Sequence, residues 1–194
     1  MLAYSAQDLV LEPFAGAVLG LTPGESTRLG GTQHGGVLAG MLLVALVGSI
    51  RAFNSRIVLR ACMIGGCVAS ALLLAGLALA GFVGEGWPLV AHIFALGTAN
   101  GMFAVAAIGS MMELVSQGHK DRDGTRMGVW GAAQAVAFGL GGILGTLAVD
   151  VTRLASGSTV AAYSTVFLAQ ATMFMLAAVL AAHLTRRRAK ESAP

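Results

Sequence analysis

Charge is what this chain has least of: Asp, Glu, Lys and Arg make up 11% of its 194 residues, and aromatic residues only 6%. A water-soluble domain carries about a quarter charged residues, so that class is excluded. The two cysteines, Cys62 and Cys67, lie five apart on one predicted helix and face different ways, which argues against a disulfide or a metal pair. There is no P-loop, G-x-S-x-G elbow, H-E-x-x-H pair or dinucleotide-binding glycine fingerprint, so neither hydrolase nor nucleotide chemistry is indicated and no enzymatic activity is expected. The amino terminus has no basic stretch leading into a cleavage site, and insertion is expected to use the helices themselves. The net charge of +3 comes from cations gathered in loops, so nucleic acid is not an expected partner.

What the chain has instead is apolar length. Hydrophobic residues supply 56% of it, glycine another 27 residues, and the mean hydropathy is +0.79. Crossing about 30 Å of hydrocarbon takes ~20 apolar residues. Six segments approach that length: 1–20, 29–50, 57–81, 88–114, 127–149 and 160–184. The expected fold is all-α, a polytopic transmembrane bundle of about six helices over residues 1–185, with 186–194 as a basic cytoplasmic tail. The first segment is the poorest, because Gln7, Asp8, Glu12 and Pro13 interrupt it, and Pro13 is expected to kink or break the helix.

Ten of the twelve Lys and Arg fall on one side: Arg51, Arg56, Arg60, Lys120, Arg122, Arg126, Arg186, Arg187, Arg188 and Lys190, against Arg28 and Arg153 on the other. The positive-inside rule then places both termini in the cytoplasm. Topology and anionic-lipid contact are the ordinary roles of these cations. Gly36 with Gly40, Gly97 with Gly101, and Gly141 with Gly145 form G-x-x-x-G steps that let backbones approach closely, with packing inside the chain as the expected use.

Asp8 and Glu12 are the residues that most need a reason. At i and i+4 they share a helix face and repel when both are ionised. In hydrocarbon each costs at least ~2.5 kcal/mol, so one or both are expected to face a protein interior, a cavity or a cation. Asn100, Gln134 and Gln170 also fall well inside predicted segments. Two readings stand: the five converge on one cavity, or the amides join helices by hydrogen bonds. His34 and His92 sit a turn or two inside the non-cytoplasmic ends of their helices. Either is a candidate axial ligand for a magnesium-centred tetrapyrrole, or an interfacial hydrogen-bonding residue. His119 lies in a basic loop and His183 near the end of the last helix.

The strings AYSAQDLVLEPFAG (3–16), LTPGEST (21–27), TQHGGVL (32–38) and GTRMGVWGAAQAVAFGLGG (124–142) resemble the bacteriochlorophyll delivery family, the PucC and LhaA type light-harvesting assembly factors within the major facilitator superfamily. The resemblance spans most of the chain. It implies a factor of the bacterial inner, intracytoplasmic membrane that assists antenna assembly. Its implied partners are light-harvesting antenna polypeptides, membrane lipid and bacteriochlorophyll synthesis enzymes, with bacteriochlorophyll as a transient ligand and no required cofactor. Members resemble twelve-helix proteins, and this chain resembles helices seven to twelve. That implies a truncated gene product lacking an amino-terminal half; a genuine half that pairs with another, and a fragment unable to fold alone, are the alternatives. The superfamily's loop motif is only loosely echoed at 118–126, and the 48–56 loop lacks its acidic member, which argues against gated solute transport. The rival functions are a proton-coupled transporter of a small solute, with Asp8 and Glu12 carrying the protons, and a structural scaffold for antenna helices.

Overall fold

The computed structural model describes residues 1–49, 55–116 and 123–191. Its elements are α1 (Leu2–Ala17), α2 (Pro23–Ser49), α3 (Ser55–Val83), α4 (Leu89–Ser116), α5 (Asp123–Ser156) and α6 (Thr159–Glu191), with a 3-10 turn at Gly84–Gly86 before α4. No strand occurs among the described residues. Five helices, α2 to α6, are long and apolar enough to cross a membrane, which makes this a multi-pass helical membrane protein. Arg51, His119, Lys120 and Arg122 lie outside the described residues.

Helix ends depart from the apolar segments in ways local chemistry explains. The second helix begins at Pro23, six residues before residue 29, because Thr22 caps it. The Glu25 carboxylate accepts from the Thr22 backbone N–H and hydroxyl, both at 2.8 Å, while the Thr22 hydroxyl oxygen accepts from the Glu25 N–H at 3.4 Å. That reciprocal box, with proline at the first helical position, starts a helix irrespective of hydropathy. The last helix continues to Glu191, so most of the basic tail extends it. Pro13 does not break α1, which runs through it to Ala17. The ring removes the bond to the Leu9 carbonyl only, and Val10, Leu11 and Phe14, each at most 2% exposed, hold the turns on either side.

Glycine sets the closest approaches. A methyl group on Gly36 would strike the Phe94 carbonyl, and one on Gly40 the Thr98 carbonyl. Methyls on Gly97 and Gly101 would strike the Gln33 and Val37 carbonyls in return. The two G-x-x-x-G steps of α2 and α4 therefore interlock backbone to backbone, with both helices running the same way. Gly141 and Gly145 of α5 make the equivalent approach to Leu2 and Ala6 of α1. Each three-helix unit, α1 to α3 and α4 to α6, thus packs its second helix on the other unit's first. This exchange is the contact signature of an internal repeat.

The third helix runs antiparallel to both α4 and α6. The Ser164 hydroxyl donates to the Ala78 carbonyl at 2.8 Å, and the His92 ring to the Leu73 carbonyl at 2.7 Å. Leu74, Leu77, Ile93, Leu96 and Phe167 are fully buried around it. Edge-to-face rings extend the core, with Phe14 and Phe167 centroids 5.0 Å apart and Phe103 and Phe174 5.8 Å apart. Outward leucines, such as Leu46, Leu72 and Leu180, leave the bundle with an apolar outer surface.

Candidate functional site

Asp8 and Glu12 project from α1 toward α2, and α2 answers each differently. The Gln33 side-chain amide donates to Asp8 at 3.0 Å. Gln33 is 2% exposed, and Asp8 is half-buried beside it. One turn on, the Glu12 carboxylate lies over Gly30, where a methyl would come within 2.9 Å of it. Glycine there makes room for the carboxylate. Glu12 itself stays exposed, so of the two carboxyls Asp8 is the one that turns inward, within the expectation that one or both would do so.

His34 completes this seam. Its Nδ1 lies 2.8 Å from the Gly30 carbonyl one turn back, and an N–H must sit between them. In the neutral ring Nε2 then carries the lone pair, and the ring is exposed. It is also within electrostatic reach of Asp8. A ligating histidine is normally held this way, with one nitrogen donating to a carbonyl and the other free. Gly31 and Gly35, on either side of it, have nothing within 4 Å of where a side chain would begin. The flat, open face beside a free imidazole nitrogen fits a planar tetrapyrrole with a central magnesium.

His92 does not share that geometry. Its Nε2 is committed to the Leu73 carbonyl, and its ring packs edge-on against Trp87 with centroids 5.4 Å apart. It is an internal brace between α3 and α4.

The amides form a second, deeper group. The Asn100 side chain donates to Gln7 at 3.2 Å and accepts from the Ser70 hydroxyl at 2.8 Å, and all three residues are fully buried. This joins α1, α3 and α4, the helix-joining reading of Asn100. Gln170 is 3% exposed and neither of its side-chain polar atoms has a hydrogen-bond partner. It lies between Phe167, which touches Phe14, and Phe174, which touches Phe103. Gln134 is half-buried one turn before Phe138, whose ring meets Tyr4. That places it roughly 10 Å of helix rise below Asp8. The polar candidates are therefore not joined in one network: Asp8 and Glu12 lie on the α1–α2 seam, Asn100 in the buried network with Gln7 and Ser70, Gln170 buried without a hydrogen-bond partner, and Gln134 half-buried on α5. Gln33, Gln7 and Ser70 complete these groups and were missed as candidates, although Gln33 adjoins His34 and Gln7 adjoins Asp8 in the sequence. Among the described residues no cluster of His, Cys, Asp and Glu is suited to a bare metal ion.

Bundle and seam together define a polytopic helical membrane protein with a half-buried carboxylate and a free imidazole on one helix pair. The chain belongs to the PUCC protein family, which matches residues 1–189. It is 45% identical, over all of its length, to 44% of the "Bacteriochlorophyll synthase 44.5 kDa chain" of Rhodobacter capsulatus. It is 30% identical to "Protein PucC" of the same organism, over 95% of this chain and 39% of that one. "Protein PucC" of Cereibacter sphaeroides is also 30% identical, over 96% of this chain and 41% of that one. The chain thus spans less than half the length of these curated relatives. No solved structure matches it.

Proposed function

We propose that this chain serves in a non-enzymatic assembly factor for light-harvesting antenna complexes in the bacterial inner membrane, and that it hands bacteriochlorophyll to antenna polypeptides. Family membership supports the assembly role, together with the bacteriochlorophyll in the name of the 45% identical relative. The observation that carries the pigment reading is His34, whose Nδ1 is tied to its own helix while Nε2 is left free on a glycine-flanked, lipid-level face. Bound there, bacteriochlorophyll would supply the light-absorbing macrocycle and the magnesium that needs an axial nitrogen. His34 would hold it through one bond, and the open flank at Gly31 and Gly35 would leave it removable. The half-buried Asp8 lies within electrostatic reach of that ring.

Proton-coupled solute transport is the second reading, and Asp8 and Glu12 favour it, since neither has an ion-pair partner among the described residues. Purification of the whole protein from pigment-producing cells separates the two. Wild type and His92→Phe are expected to carry tetrapyrrole, and His34→Phe to lose most of it. Retention of unchanged pigment absorption by His34→Phe would remove His34 as ligand, and solute-driven proton uptake in pigment-free vesicles would favour transport.

A further inference from the structure

Near the end of the bundle where α5 turns into α6 through Gly157, a cleft of about 220 Å³ is lined by Leu9, Val10, Pro13, Thr146, Val149, Asp150 and Tyr163. It lies apart from the α1–α2 seam, between α1, α5 and α6. Its size is below the ~300–1,000 Å³ of ordinary small-molecule pockets, and it is too small for a tetrapyrrole. Its polar groups are nearly all acceptors. Asp150 offers a carboxylate with no ion pair among the described residues. Pro13 has no N–H, so the Leu9 carbonyl lacks its helical donor. Thr146 already gives its proton to the carbonyls of Gly142 and Ile143, at 3.2 and 3.0 Å, which leaves its oxygen to accept. The Tyr163 hydroxyl is the remaining polar group.

We propose that this cleft binds the primary ammonium headgroup of a phosphatidylethanolamine-type lipid, with Asp150 as its counter-ion. A primary ammonium carries three N–H donors and no acceptor, the complement of a wall rich in acceptors. A trimethylated choline headgroup has no N–H to give. The phosphate has a partner in Arg153, exposed one turn beyond Asp150; both charges act on Tyr163. The surrounding surface suits acyl chains, since Leu9, Leu147, Val151 and Leu154 are 51% to 85% exposed. A soluble amine would need none of this apolar margin.

Native mass spectrometry of the whole protein, released from micelles containing equal phosphatidylethanolamine, phosphatidylcholine and phosphatidylglycerol, tests the assignment. The expected result is preferential retention of phosphatidylethanolamine. Asp150→Asn should weaken it roughly tenfold, the size of one hydrogen bond to a charged group, with the other lipids unchanged. Asp150→Glu, which keeps the charge, should retain the preference and shows that loss in Asp150→Asn is not misfolding. Equal retention of the choline lipid, or an unaltered preference in Asp150→Asn, would overturn the proposal. Displacement of the lipid by millimolar free ethanolamine would reassign the cleft to a soluble amine and overturn it as a lipid site.

Discussion

Asp8 and Gln33 form the bond on which the α1–α2 seam depends. Gln33→Leu would leave a half-buried carboxylate without its donor, which costs about 1.5–3 kcal/mol when the bond is to a charged group. Asp8→Leu in the same chain removes the acceptor as well. The expected outcome is that Gln33→Leu lowers the thermal midpoint of the purified protein and that the double variant recovers part of the loss. Additive losses in that double-mutant cycle would show that the two residues do not interact. Much at this level was legible in the sequence, because a carboxyl inside an apolar segment announces itself. Its partner was not: Gln33 and Gln134 look alike in sequence, and only the register of α1 on α2 makes one of them the donor. Nor did sequence separate His34 from His92, since the choice rests on which carbonyl each ring meets, Gly30 four residues back or Leu73 on another helix.

Helix existence was readable from hydropathy, and helix ends were not, because capping and continuation obey local rules that an apolar count ignores. Thr22, Pro23 and Glu25 carried a start signal in the string itself; the extension of α6 through charged residues carried none. The glycine steps gave the motif without the partner, which is supplied by the same-direction pairing of α2 with α4. Gly97→Ala puts a methyl against the Gln33 carbonyl, a main-chain atom that cannot rotate away. Overpacking of this kind costs typically about 1–3 kcal/mol. Gly131→Ala on α5 meets nothing within 4 Å, and alanine there favours the helix by up to ~1 kcal/mol. Thermal unfolding in one detergent should therefore rank Gly131→Ala at or above wild type and Gly97→Ala several degrees below. The reverse order would mean that α2 and α4 are not in contact as described.

For the molecule entire, orientation decides which end of the seam faces the cytoplasm, and the ten-to-two division of basic residues is its basis. Thr125 is exposed in the first turn of α5. A Thr125→Cys variant with Cys62 and Cys67 replaced should resist an impermeant thiol reagent on intact cells and react after lysis; equal labelling in both would invert the topology. Family and fold were legible because long apolar segments and specific strings survive without knowledge of packing. The Asp150 cleft was not, because it is assembled from three helices whose adjacency no local pattern encodes. The most direct test of the assembly role is the near-infrared antenna absorbance of photosynthetically grown cells carrying Asp8→Asn with Glu12→Gln, at equal membrane levels of the protein. Loss of most antenna absorbance is the expected result, since these substitutions keep shape and remove charge only at the seam; wild-type absorbance in the double variant would contradict a role for that seam in antenna assembly.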